Sequence, residues 1–135
     1  MLKPRITCAV DDGLKLIIVR CIGHIDGAEA AAVVGDHLTA VENAWAHDVL
    51  IDLSRYHGFM SSDDVHALTH RWGVFAAGRD AGRATVVISH DPLLAARRSA
   101  TQILLPGREL VVLSHVHEGR AWLELRRETA RLTTV

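Results

Sequence analysis

Four histidines at or just after the ends of predicted strands are the side chains in this chain best suited to chemistry. They are His57, His90, His115 and His117, out of nine histidines in 135 residues. Imidazole titrates near neutral pH, so it can exchange protons or bind a small ligand. Open α/β sheets usually bind their ligands at the carboxyl ends of the strands. We therefore expect these four histidines to mark the edge of a ligand site.

Asp91 next to His90, with serines nearby, raises the alternative of a hydrolase with a Ser-His-Asp triad. The sequence has neither the Gly-x-Ser-x-Gly turn that presents such a serine nor a glycine-rich phosphate loop. A chain with nine histidines also forms such pairings by chance. We therefore predict a non-enzymatic protein with no catalytic residue and no cofactor. An enzyme that uses His90, His115 or His117 is the alternative.

A second pair of histidines, His66 and His70, lies four residues apart on a predicted helix and could share a metal ion. The residues between them lack the Glu that zinc proteases carry at this point, and the sequence offers no evident third ligand. We therefore predict that both side chains are partly exposed and that the protein has no metal site.

Two serines, Ser61 and Ser62, begin the same predicted helix. Asp64 follows Ser61 by three residues, which predicts a capping box with Asp in place of the usual Glu or Gln. The free N–H groups and dipole of a helix start also attract anions, so both serines are candidates for phosphorylation or for an anion site. Asp63 and Asp64 would repel a phosphate in the same turn. Helix capping is the favoured interpretation.

The elements that must position these residues alternate along the chain. Short apolar runs predict strands, and apolar residues three and four apart predict helices. The order is ββαβαβαβα, with predicted strands at 5–10, 14–22, 49–53, 84–89 and 109–113 and with helices that begin near 26, 61, 91 and 118. This order predicts one α/β domain over residues 1–135, in which strand 49–53 is central and parallel to its neighbours.

The apolar stripes of the first and last helices predict which side chains pack on the sheet. The first stripe runs from Val34 to Trp45 at spacings of four, three and four, so this helix is predicted to continue through Trp45. Trp122 and Leu125 mark the stripe of the last helix.

Both cysteines, Cys8 and Cys21, fall in the predicted hairpin. A two-residue turn at Asp12-Gly13 would place Cys8 opposite a residue near Leu16. The two thiols are therefore not expected to form a disulfide.

Composition excludes several classes of protein. Hydrophobic residues make up 49% of the chain and charged residues 23%, as in ordinary globular domains. A net charge of −1 favours no nucleic-acid partner. Met1–Ala9 lacks the apolar segment of a signal peptide, and the apolar run Leu16–Val19 is far too short to span a bilayer. We expect a cytoplasmic protein without membrane insertion.

The predicted strands have apolar side chains on both faces, whereas crossovers of one hand would collect the helices on one face. The second face would then need a cover. A homodimer, a partner protein or a bound apolar ligand could supply it.

Three short segments carry a family resemblance. They are Leu50–Ser54 in the central strand, Phe59–Asp63 at the start of the second helix, and Ala121–Leu123 in the last helix. With the order of elements, they are similar to the SpoIIAA-like fold of STAS domains, anti-sigma-factor antagonists and CRAL-TRIO lipid-carrier domains. The resemblance implies one mixed sheet of about five strands with helices mainly on one face. It implies a regulatory module that binds a protein partner, or alternatively a carrier of a small apolar ligand.

The resemblance also implies a specific role for one serine. In the antagonists, an Asp-Ser-Ser-Gly segment follows the central strand, and a partner kinase phosphorylates its first Ser. Ser61 falls on that position. Met60 and Asp63 stand where the antagonists have Asp and Gly, so the chain departs from the regulatory motif on both sides.

Overall fold

One mixed sheet of five strands organises the chain. The computed structural model describes residues 3–133. The strands are β1 (Arg5–Asp11), β2 (Leu16–Gly23), β3 (Asp48–Tyr56), β4 (Ala84–Ile88) and β5 (Glu109–Leu113). They lie in chain order, with β1 antiparallel to β2 and every later pair parallel. As predicted, β3 is central and parallel to both neighbours.

Helices follow the later strands in the predicted order. They are α1 (Gly27–Ala40), α2 (Ser62–Ala76), α3 (Pro92–Ala96), α4 (Arg98–Ile103) and α5 (Val116–Thr133), with a 3-10 turn at Ala44–Ala46. Asp91 caps α3 by accepting a bond from Leu93 N at 2.9 Å, with Pro92 in the first helical position as predicted. The backbone leaves helical geometry at Arg97, so one predicted helix becomes α3 and α4. None of the helices within residues 3–133 combines the length and apolar character needed to cross a membrane.

The first helix is shorter than predicted. Val41 is already extended, with φ −75° and ψ 128°. Asn43 takes a left-handed conformation at φ 55°, which Asn adopts more readily than most residues. Trp45 therefore lies on the 3-10 turn, where the guanidinium of Arg79 stacks 4.6 Å from the centre of its ring. The prediction that the helix continues through Trp45 is wrong because the backbone turns two residues before it.

The larger part of the core lies between one face of the sheet and α1 and α2, and Leu94 of α3 and Leu105, which follows α4, pack in the same cluster. Alternate residues of β2, namely Ile17, Val19 and Cys21, point to this face and are fully buried. Trp72 of α2 packs into the same cluster. Parallel strands laid in chain order place successive right-handed crossovers on one side of a sheet. The expectation that the helices lie mainly on one face is confirmed.

The second face has its own cover, contrary to the expectation that a partner must supply one. Helix α5 lies across this face, where Leu123 packs in a cluster with Leu50 and Val86. Gly119, one turn before Leu123, allows the close approach, because an added Cβ would lie 2.9 Å from Ile88 Cδ1. The apolar stripe of α5 differs from the predicted one, which included Leu125. Leu123 is buried, while Leu125 is 63% exposed.

The hairpin has a different register from the predicted one. Cys8 pairs with Val19 rather than with a residue near Leu16. The cause is a longer turn of four residues, 12–15, between Asp11 and Leu16, which form the last pair. Both cysteines are free, as expected.

The buried guanidinium group of Arg108 joins several segments at the edge of the sheet where the parallel strands begin. Arg108 is 1% exposed and donates to Thr85 Oγ1 at 2.7 Å and to the carbonyl oxygen of His47 at 2.8 Å. Its guanidinium stacks 4.9 Å from the ring centre of Trp72 and lies 3.7 Å from Asp80 Oδ2. Burial lowers the pKa of Arg108 to about 10, against the opposing effect of Asp80. This network is structural and lies at the edge opposite the predicted histidine site.

Candidate functional site

The carboxyl ends of β2 to β5 meet at one edge of the sheet, because these four strands run parallel. Three of the predicted site residues come together there. The rings of His90 and His115 lie 5.8 Å apart, edge to face, and those of His115 and His117 stack at 5.4 Å. All three are exposed. We call them the histidine trio.

His57 does not belong to the trio. It lies beyond β3, and its carbonyl oxygen is 3.3 Å from Nδ1 of His24, which follows β2. His57 therefore sits towards the β2 side of the edge, whereas His90 and His115 follow β4 and β5.

The triad considered from the sequence is not assembled. The Nε2 atom of His90 lies 2.9 Å from the backbone carbonyl oxygen of Ser114, not from a hydroxyl group. Ser89 Oγ accepts a bond from the backbone N–H of Asp91 at 3.0 Å. The Asp91 carboxylate caps α3 through Leu93 N. These polar groups are used to shape the loop between β4 and α3.

Within residues 3–133, no three side chains of the His, Cys, Asp or Glu types converge in a way that could hold a metal ion. His66 and His70 are both exposed on α2.

The predicted capping box at the start of α2 is present. Ser61 Oγ accepts a bond from Asp64 N at 3.1 Å, and Asp64 Oδ2 accepts one from Ser61 N at 2.9 Å. The structure thus assigns helix capping to Ser61, which is half-buried, while Ser62 in the first helical position is exposed.

The loop that leads into α2 is tightly held against the start of α1. The hydroxyl of Tyr56 donates to the carbonyl oxygen of Ile25 at 2.8 Å. A Cβ on Gly58 would lie 2.2 Å from the same oxygen, and one on Gly27 would lie 2.0 Å from the carbonyl oxygen of Phe59. Burial, with smaller effects from nearby negative groups, raises the pKa of Tyr56 to about 12. Two glycines therefore let the two loops touch through their backbones.

This contact leaves an aromatic ring in solvent. Phe59 is 54% exposed, while its neighbour Met60 is buried in the core. Sequence reasoning included Phe59 only as part of a family segment. The glycine just before it was the one local sign that the backbone here approaches another segment. Phe59 is surrounded along the chain by polar groups, and we define the α2 N-terminal surface as His57, Phe59, Ser61, Ser62 and Asp63.

Small apolar cavities lie on the other side of this region, beneath α2 and α4. Two of them, of about 70 and 100 Å³, share much of their lining. The shared residues are Ile51, Val65, Leu68, Val87, Thr101 and Leu110. Pockets that hold drug-sized ligands are larger, on the order of 300 Å³ or more. These cavities are packing gaps in the larger part of the core, between the sheet and its helices.

Comparison with known proteins bears on the fold. No family model and no curated protein matches the chain. Among solved structures, an uncharacterised DUF3478-family protein with a SpoIIAA-like fold, from Shewanella loihica PV-4, is similar, with a TM-score of 0.57 at 14% sequence identity. The alignment covers 91% of this chain and 97% of that chain. The chain has a SpoIIAA-like fold. The fold implied by the family resemblance is confirmed, and at this identity the likeness extends to the SpoIIAA-like fold alone.

Proposed function

We propose that this SpoIIAA-like protein is a non-enzymatic interaction module, acting as a single cytoplasmic domain, that binds another protein through the α2 N-terminal surface. The observation that carries the proposal is the exposed ring of Phe59 on a loop that cannot easily move. Aromatic residues, Phe among them, are enriched at the cores of protein interfaces relative to the rest of the surface.

The rigidity of the loop supports this role. Gly27 and Gly58 bring the loop backbone against the start of α1, and the Tyr56 hydroxyl bonds across the same contact. A surface that is ordered before binding loses less conformational entropy when the partner arrives. The ring of Phe59 is therefore presented at low entropic cost.

The acidic side chains at the two helix starts indicate which kind of protein would bind this surface. Asp26 and Asp63 are exposed at the starts of α1 and α2. A complementary protein would offer an apolar pocket for Phe59 with basic side chains at its rim.

Phosphorylation of Ser61 or Ser62 would regulate binding at this surface. A phosphate on Ser61 would replace the hydroxyl that caps α2 and would add charge beside Asp63 and Asp64. It would thus alter both the helix start and the charge of the surface. Incubation with candidate kinases followed by mass spectrometry tests this version. A Ser61→Asp variant that binds the partner unchanged would argue against it.

Site-specific photo-crosslinking tests the binding proposal. We expect a benzophenone amino acid in place of Phe59 to form an adduct with one defined protein in cells, identified by mass spectrometry. The matched control replaces Val74, which is 70% exposed near the other end of α2. Equal adducts at both positions, or none at position 59, would contradict the proposal. Binding of the identified protein to a Phe59→Ala variant then measures the contribution of the ring.

A carrier of a small apolar ligand is the second candidate. The cavities beneath α2 and α4 are apolar but hold only about 70 and 100 Å³. A ligand of ordinary size would require α4 to move away from the sheet. Native mass spectrometry of the purified protein tests this candidate, because a co-purified apolar ligand would favour it over the interaction module.

An enzyme that uses the histidine trio is the third candidate. The trio is exposed, and His90 Nε2 contacts a backbone carbonyl rather than a nucleophile. We therefore propose for these residues, together with His57, a place at the rim of a ligand or partner surface.

A further inference from the structure

The two edge strands of the sheet, β5 and β1, differ in whether side chains bond to their outer backbone groups. At the β5 edge, side chains of α4 bind the outer backbone groups of the strand. Gln102 accepts a bond from Leu110 N at 2.7 Å and donates to the carbonyl oxygen of Arg108 at 2.5 Å. Arg98 donates to the carbonyl oxygen of Leu110 at 3.0 Å. These groups are therefore occupied and cannot pair with another strand.

The β1 edge has no such protection in the part of the chain that the structure describes. Arg5–Asp11 is a regular strand of seven residues, paired on one side with β2 and followed on the other side by no further strand. No side chain among residues 3–133 bonds to its backbone. An open edge of this length presents unpaired N–H and C=O groups to solvent and is a template for another strand.

The charges along β1 specify one partner. Arg5 begins β1 two residues after Lys3, and Asp11 ends it just before Asp12. An antiparallel second copy, centred on Cys8, would place each basic end opposite an acidic end. We propose that two copies of this chain pair through β1 in this register and form one continuous sheet. The pairs across the twofold axis are Arg5 with Asp11, Ile6 with Val10, Thr7 with Ala9, and Cys8 with Cys8 of the second copy.

The side-chain pattern agrees with this register. Ile6 and Cys8 face the core under α1, and they are half-buried. Val10 lies on the same face but is 41% exposed. In the paired sheet, Val10 meets Ile6 of the second copy and loses that exposure. A slip of one residue would bring opposite faces together, and a slip of two would separate Arg5 from Asp11. The interface is self-complementary, as a twofold dimer requires.

Cys8 supplies a natural reporter of the pairing. Residues directly opposite each other in antiparallel strands have Cα atoms about 4.5 or 5.5 Å apart. Both separations fall within the range of roughly 4.4 to 6.8 Å that a disulfide can bridge. An oxidant such as diamide takes two electrons and two protons from the two thiols as the S–S bond forms. Cys21 is fully buried and serves as the internal comparison.

Crosslinking is the first arm of the test. We expect purified protein to sediment as a dimer and to become a covalent dimer with diamide. The covalent dimer should disappear in a Cys8→Ser variant and persist in a Cys21→Ala variant. A wild-type protein that is monomeric at every concentration, or a dimer that diamide crosslinks without Cys8, overturns the proposal.

Charge reversal is the second arm. Arg5→Asp places like charges opposite each other twice per dimer, so we expect the dissociation constant to rise about tenfold. Adding Asp11→Arg to the same chain should restore dimerisation, because the pair is then reversed rather than broken. Arg120→Asp, an exposed charge on α5, is the matched control with no expected effect. If Arg5→Asp leaves the dissociation constant of the dimer unchanged, the dimer uses another surface. That result also overturns the proposal. This interface shares no residue with the α2 N-terminal surface, so either proposal can fail alone.

Discussion

Gly27 at the start of α1 lies so close to Phe59 that an added Cβ would be 2.0 Å from the Phe59 carbonyl oxygen. The same Cβ would lie 2.7 Å from Asp64 Oδ2, which belongs to the capping box of α2. One glycine thus joins the starts of two helices and sets the position of the exposed aromatic ring. The first prediction follows from this contact.

Gly27→Ala should destabilise the protein by about 2–3 kcal/mol, because the new methyl group meets backbone that cannot move without shifting α2. Urea unfolding measures the change. Gly73→Ala is the matched control, since an added Cβ there meets nothing within 4 Å. This second change lies on an exposed face of α2 and should stabilise by up to about 1 kcal/mol through helix propensity. Equal effects at the two positions would contradict the close contact.

Ser61→Ala should lower the free energy of unfolding by about 1 kcal/mol, because it removes the side-chain acceptor for Asp64 N. Ser62→Ala is the control, since Ser62 is exposed and makes no capping bond, and its effect should stay within about 0.5 kcal/mol. Ser61→Asp keeps a capping carboxylate and should remain folded, which makes it suitable for binding assays. Thermal unfolding of the three variants gives the comparison.

Arg108→Met should cost about 3–5 kcal/mol, because Asp80 would keep a buried charge without its cation. The acceptors at Thr85 and at the His47 carbonyl oxygen would also lose their donor. Arg120→Met, on the exposed surface of α5, removes the same charge and should change stability by less than about 0.5 kcal/mol. If chemical denaturation finds Arg108→Met as stable as wild type, the buried network contributes no net stability.

Alkaline pH should destabilise the folded state through Cys21. Burial, with a smaller effect from Asp52, raises its thiol pKa from 9.0 to about 12. The folded protein therefore keeps a proton that the unfolded chain releases above pH 9. Stability that is complete below that pH is lost as the pH rises towards 12, at up to about 1.4 kcal/mol per pH unit.

Urea unfolding of wild type and Cys21→Ala at pH 8 to 11 tests this linkage. The wild-type free energy of unfolding should fall more steeply with pH than that of the variant. Tyr56, whose pKa is raised to about 12 mainly by burial and less by Cys21, adds a decline above pH 10 in both proteins. Parallel slopes would show that the Cys21 thiol titrates alike in the folded and unfolded states.

Local sequence predicted the features that depend on a few neighbouring residues. The capping box of Ser61 and the Asp91-Pro92 start of α3 form within one turn of helix, so their residues are sufficient. The convergence of His90 with His115 was also predictable, because parallel strands end at the same edge. Trp45 was misplaced because the helix ends at an extended Val41, and the left-handed Asn43 then turns the chain, while the apolar spacing continues unbroken.

By itself, the sequence determined the order of strands and helices and the helix caps, because each depends on local patterning, and the SpoIIAA-like fold was implied by a family resemblance. Only the tertiary structure decided that α5 covers the second face, that Phe59 stays in solvent and that β1 is an open edge. Each of these depends on which distant segments touch, as at Gly119 against Ile88 or Gly27 against Phe59. Contacts of that kind arise from packing across the sheet, which no local spacing of residues records.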